Sequence, residues 1–137
     1  MAIRILIAEP DPTVRKLLRA LLDWETDLQV VGEAADGPEA LLVAEETRPA
    51  VVLLADLLAN LACIEDLKAM SRPPRVVILA TYREGVVSAL AAGADHSVLK
   101  DASVRELADI IRRLGGEWPG LDTPPDEPPS GADWRRP

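Results

Sequence analysis

The side chains able to do chemistry in this 137-residue chain stand at the ends of apolar runs. Glu9-Pro10-Asp11-Pro12 follows Ile3 to Ala8, Ala55-Asp56 follows Val51-Val52-Leu53-Leu54, Ala80-Thr81 closes the run from Arg75, and Lys100 follows Ser97 to Leu99. Glu9 ends the first run as a carboxylate and Lys100 the last as an ammonium, charges that form a structural ion pair or stay solvated. Asp11 before Pro12 reads as a helix N-cap, with proline at the first helical position, where its missing N–H costs nothing. Thr81-Tyr82-Arg83-Glu84 has capping-box spacing, so the Thr81 hydroxyl has a structural task available. His96, the single histidine, has no Cys or His at ligand spacing and is expected at the surface. Cys63, the single cysteine, has no catalytic partner in sequence and reads as a small apolar helix residue. The acidic Glu9 to Pro12 segment lacks the glycines that let backbone amides cradle phosphate, which argues against a small-ligand or nucleotide site there.

The elements that must position these groups are legible from periodicity. Five apolar runs recur, Ile3 to Ala8, Val30 to Ala34, Ala50 to Ala55, Arg75 to Ala80 and Ser97 to Leu99, each followed by a turn and a helix-like segment. Such alternation implies a parallel sheet, and runs apolar at every position imply strands covered on both faces. The first helix carries a stripe of Val14, Leu17, Leu18, Leu21 and Leu22, with Arg15, Lys16 and Arg19 on the other side. The last repeats the pattern with Val104, Leu107, Ala108, Ile111 and Leu114, opened by the capping box Ser103-Val104-Arg105-Glu106 and ended by Gly115-Gly116. Weaker helices are expected near 38–47, 62–70 and 84–92. Ala92-Gly93-Ala94-Asp95 turns the last of these into the fifth strand.

Composition narrows the classes. A net charge of −8 with no basic stripe disfavours binding to nucleic acid or to an anionic membrane. One cysteine permits no internal disulfide, and the N-terminus shows no signal-peptide pattern, so a cytoplasmic location is expected. No apolar stretch approaches the ~20 residues of a membrane-spanning helix. Residues 1–115 are expected to form one domain. Residues 116–137, rich in Pro, Gly and acid, are expected to be a disordered tail. Trp118 and Trp134 are the large apolar residues of that tail, read as solvated or loosely docked, or as a partner motif.

Taken in order, the first strand, Val30-Val31-Gly32-Glu33-Ala34-Ala35-Asp36-Gly37, Arg48-Pro49, Ala91-Ala92-Gly93-Ala94-Asp95 and Leu99-Lys100-Asp101-Ala102-Ser103 closely resemble the receiver domain of bacterial response regulators, NarL/FixJ type, over residues 2–115. The resemblance implies a flavodoxin-like (βα)5 doubly wound parallel sheet of order 2-1-3-4-5, with its site at the carboxyl ends of the strands. It also implies a division of labour. Acids after the first strand and an acceptor aspartate after the third hold Mg2+, and the acceptor attacks phosphorus. A hydroxyl after the fourth strand and a lysine after the fifth bind phosphoryl oxygens, and an aromatic residue in the fifth strand reports the change.

Carried onto this chain, Glu9 matches the first acid and Lys100 the lysine, but Pro10 stands at the second acid. Ungapped alignment puts Ala55 at the acceptor, Ala80 at the hydroxyl and Ser97 at the aromatic position. Asp56 and Thr81 each lie one residue further on. A shifted register restores them, yet a one-residue slip in a strand also reverses which face each apolar side chain meets. Asp56 otherwise reads as a water-exposed loop carboxylate.

Two expectations follow. The first is an atypical receiver that is not an enzyme, needs no cofactor and signals through a protein partner or a homodimer without aspartyl phosphorylation, with Lys100 pairing with Glu9 or Asp56 to mimic an occupied site. Its contact surface would be the fourth and fifth helices with the fifth strand, or the first and fifth helices. The alternative is a phosphoacceptor using Asp56 with Thr81 and Lys100, Mg2+ on Glu9 and Asp56, and a histidine kinase as donor. Neither involves direct binding to nucleic acid or membrane.

Overall fold

The computed structural model describes residues 2–58, 61–81, 93–100 and 102–116. Five strands, β1 (Ile3–Ala8), β2 (Leu28–Ala34), β3 (Val51–Ala55), β4 (Arg75–Ala80) and β5 (His96–Leu99), form one sheet of order β2-β1-β3-β4-β5, all pairs parallel. The described helices are α1 (Pro12–Asp23), α2 (Gly37–Thr47), α3 (Leu61–Lys68) and α4 (Val104–Ile111). The helix expected near 84–92 and, from residue 117, the expected tail lie outside the described residues.

Alternation along the strands splits the core in two. Ile5, Ile7, Val51, Leu53 and Val77 pack on one face with Leu22 of α1 and Leu107 and Ile111 of α4. Leu6, Val52, Leu54 and Ile78 pack on the other with Ala40 and Ala44 of α2 and Ile64 and Leu67 of α3. Each such fully buried Leu or Ile contributes about 1.5–3 kcal/mol, so the strands are fixed from both sides whatever stands at their ends.

Local signals behave as their chemistry dictates. Asp11 accepts from the Thr13 amide at 2.9 Å as the α1 N-cap, and Asp36 and Ser103 cap α2 and α4 in the same way. Gly93 takes φ +108°, a left-handed turn that glycine allows at no steric cost, and leads the chain into β5. Some expectations need correction. The α1 stripe is not buried throughout: α1 meets the core through Leu18 and Leu22, which leaves Leu17 57% exposed and Leu21 half-buried. β3 begins at Val51, not Ala50. β2 begins at Leu28 and β5 at His96, because Leu28 and His96 already pair with Ile3 and Val77. Gly115-Gly116 does not end the last helix; after Ile111 the chain widens into a π-type turn over Arg112–Gly116. Gly115 there presses against β1 and β3, where a Cβ would lie 2.6 Å from Ile3 Cγ2.

Candidate functional site

The carboxyl ends of the strands gather most of the residues singled out by sequence. Glu9 leaves β1 with its amide on the Ala34 carbonyl, which turns its side chain inward until only 2% of the residue is exposed. Its Oε1 accepts from Lys100 Nζ at 3.1 Å and its Oε2 from the Asp11 amide at 3.0 Å. The Lys100 amide donates to the Ala80 carbonyl at 2.8 Å, prolonging the β4–β5 ladder and aiming the lysine across the sheet end. A buried carboxylate needs such partners, since an unpaired charge there is costly.

Ala55 and Ala80 are the last residues of β3 and β4 and both are fully buried. Pro10 occupies the bend after Glu9. Asp56 opens a short 3-10 turn, Asp56–Leu58, beyond β3. It is not a water-exposed carboxylate: it is half-buried, its Oδ2 accepts from the Thr81 amide at 2.6 Å, and its Oδ1 is buried without a partner among the described residues. The 3-10 turn folds the side chain back over the end of β4, which is why burial replaces exposure. The contact uses the Thr81 backbone; the proposed capping role of Thr81 concerns residues from Tyr82 onward, outside those described. The Ser97 hydroxyl is likewise buried and unpaired among the described residues.

The side chains thus assemble into two pairs, Glu9 with Lys100 and Asp56 with Thr81, and no hydrogen bond or ion pair among the described residues joins them. No group of three or more His, Cys, Asp or Glu suited to a metal occurs among the described residues. His96 is half-buried rather than on the surface, because β5 begins with it against Val77. Burial and the nearby Arg113 hold its pKa below the usual histidine value, against the opposing pull of Glu106. Cys63 is buried on α3, and that burial, with Asp66 nearby, pushes its thiol up.

One group was not singled out by sequence. Arg15 Nη1 donates to the Glu9 carbonyl at 2.7 Å, and its Nε donates to Glu33 at 3.1 Å, while Arg19 also reaches Glu33. The Arg19 hydrogen bond, helped by Arg15 and opposed by burial, holds the Glu33 carboxyl below its ordinary value. Two arginines one helical turn apart and one acid in an apolar strand were the available signal.

The family model for the response regulator receiver domain matches residues 5–112. The chain belongs to that family. This receiver is 39% identical over 120 residues to the uncharacterized transcriptional regulatory protein YhcZ of Bacillus subtilis, covering 84% of this chain and 56% of YhcZ. It is similar to the response regulator domain of Thermotoga maritima CheB, with 30% identity, a TM-score of 0.71, and coverage of 85% of this chain and 98% of that one. A LuxR-family response regulator from Aurantimonas matches with a TM-score of 0.76 at 26% identity, covering 85% and 86% of the two chains. The type is NarL/LuxR, and the fold is the flavodoxin-like receiver fold. The chain spans little more than half the length of the curated relatives it matches. No helix among the described residues is long and apolar enough to cross a membrane.

Proposed function

We propose that this receiver works in two-component signalling through protein contacts, in the cytoplasm, without aspartyl phosphorylation and without catalysing a reaction of its own. One observation carries the reading: the strand ends that would present a nucleophile and a hydroxyl present buried Ala55 and Ala80, while Asp56 is engaged by the Thr81 amide. The donor set does not fit Mg2+, which takes six oxygens in near-octahedral array and shares few of them with a protein. Both Glu9 oxygens are committed, Pro10 contributes no side-chain ligand, and Asp56 leaves one oxygen. Lys100 is held by Glu9 at 3.1 Å, a pairing that favours one conformation with nothing bound. The output then passes to a signalling protein or a second copy of the chain.

The Asp56 Oδ1, buried without a partner among the described residues, favours one rival reading, a phosphoacceptor charged by a histidine kinase, because a buried unpaired oxygen is a place where a new ligand gains most. Incubation with acetyl phosphate and Mg2+, followed by intact mass measurement, separates the two. We expect an unmodified mass; stoichiometric addition of one phosphoryl group, abolished by Asp56→Asn, would overturn the proposal.

A further inference from the structure

Helix α1 carries an outward ridge that the sheet does not use. Leu17 is 57% exposed and Trp24 80% exposed, with the exposed Ala20 and the half-buried Leu21 between them. Trp24 is the C-cap residue in right-handed helical conformation, so positions 17, 20, 21 and 24 follow one face of the helix. Lys16, beside the ridge, has no ion-pair partner among the described residues.

The chain leaves the described domain close to the foot of this ridge. Gly115 packs against Ile3, the Ile3 amide donates to the Asp27 carbonyl at 2.9 Å, and Arg112 holds both Asp27 and Glu25, the neighbour of Trp24. The exit is therefore anchored beside Trp24. The next large apolar residues in sequence are Trp118 and Leu121, and the segment carries Glu117, Asp122, Asp126 and Glu127 with no base before Arg135. The ridge rises about 10 Å from Trp24 to Leu17, and five residues beyond Gly116 span at most about 18 Å, so Leu121 has the reach to cover it.

We infer that the ridge Leu17–Trp24 is the docking site of this chain's own C-terminal segment, with Trp118 and Leu121 on the apolar ridge and the acids toward Lys16. The inference stands apart from the reading of the phosphorylation site and is tested by a different measurement. In a full chain carrying Trp118→Phe and Trp134→Phe, Trp24 is the only tryptophan left. A sister chain carries Trp118→Ser, Leu121→Ser and Trp134→Phe, substitutions outside the described residues. Docking for half of the time or more lowers acrylamide quenching of Trp24 about twofold in the first chain relative to the second. Adding Leu17→Ser is expected to close the gap. Equal quenching in the two chains, or protection that grows with protein concentration and so reports a second copy on the ridge, would overturn the inference.

Discussion

The two ends of the same sheet are built on opposite terms. At the amino end, Asp95 accepts from Lys68 Nζ at 2.7 Å, Arg75 Nη1 at 3.3 Å and the Val76 amide at 2.7 Å, tying α3, β4 and the start of β5 together. Arg112 grips Asp27 through two nitrogens, reaches Glu25 and contacts Asp109, closing α4 onto the α1–β2 loop. At the carboxyl end, Ala55 and Ala80 fill the strand termini, the residues singled out by sequence split into two small pairs beside the Arg15–Glu33–Arg19 link, and Asp56 Oδ1 lies buried and unpaired among the described residues. The contrast shows that the ion pairs bracing the sheet and the residues of the candidate site are different groups. Alanine at a strand end disturbs no packing, because the layers on either side fix the strand.

The comparison is most exposed at Asp95. Asp95→Ala leaves the Lys68 ammonium with the Pro74 carbonyl alone and takes the acceptor from the Val76 amide in a part-buried setting, and is expected to cost about 2–3 kcal/mol in urea unfolding. Lys100→Met, its counterpart at the other end, leaves Glu9 with the Asp11 amide alone; partial solvent access to the lysine limits the loss to about 1–2 kcal/mol, largely recovered by adding Glu9→Gln. If Lys100→Met proved the costlier of the two, the carboxyl end would be structural after all. Arg112→Ala comes next. Its guanidinium is about a third exposed, so screening reduces the loss to about 1 kcal/mol even though it holds the Asp27 carboxyl below its usual value.

How much of this was legible in the sequence follows from what each feature depends on. The alternation of strands and helices and the caps Asp11 and Ser103 depend on local periodicity and residue type and were readable, whereas the sheet order came only with the resemblance to receiver domains. The displacement at Ala55-Asp56 and Ala80-Thr81 was readable as a pattern, but not its consequence. Whether Asp56 met water, Lys100 or a backbone amide depended on a three-residue 3-10 turn that no side-chain periodicity specifies. The Arg15–Glu33 link and the Arg112 cluster join residues 18 and 85 apart in sequence, and long-range partners of that kind leave no mark in a single chain. The widened turn at Arg112–Gly116 is not legible because Gly-Gly locally signals a stop, while the close approach of Gly115 to Ile3 and Val51 is a tertiary fact.

The smallest expected effect concerns His96, which sits at the well-braced end and is held against its charged form. Burial, then Arg113, lower its pKa from 6.5, so the unfolded chain binds a proton more readily than the folded one. Stability linked to His96 is therefore fully present above about pH 6.5 and is lost as pH falls through the lowered folded value. Glu33, also lowered, loses its contribution only below its ordinary value of 4.5, so the two windows do not overlap at the upper end. Thermal midpoints between about pH 5 and 7 should fall more steeply on acidification in the parent chain than in His96→Gln, because no other side chain ordinarily titrates there. Matching slopes would mean that His96 is solvated, and that the amino end is less tightly closed than its ion pairs imply.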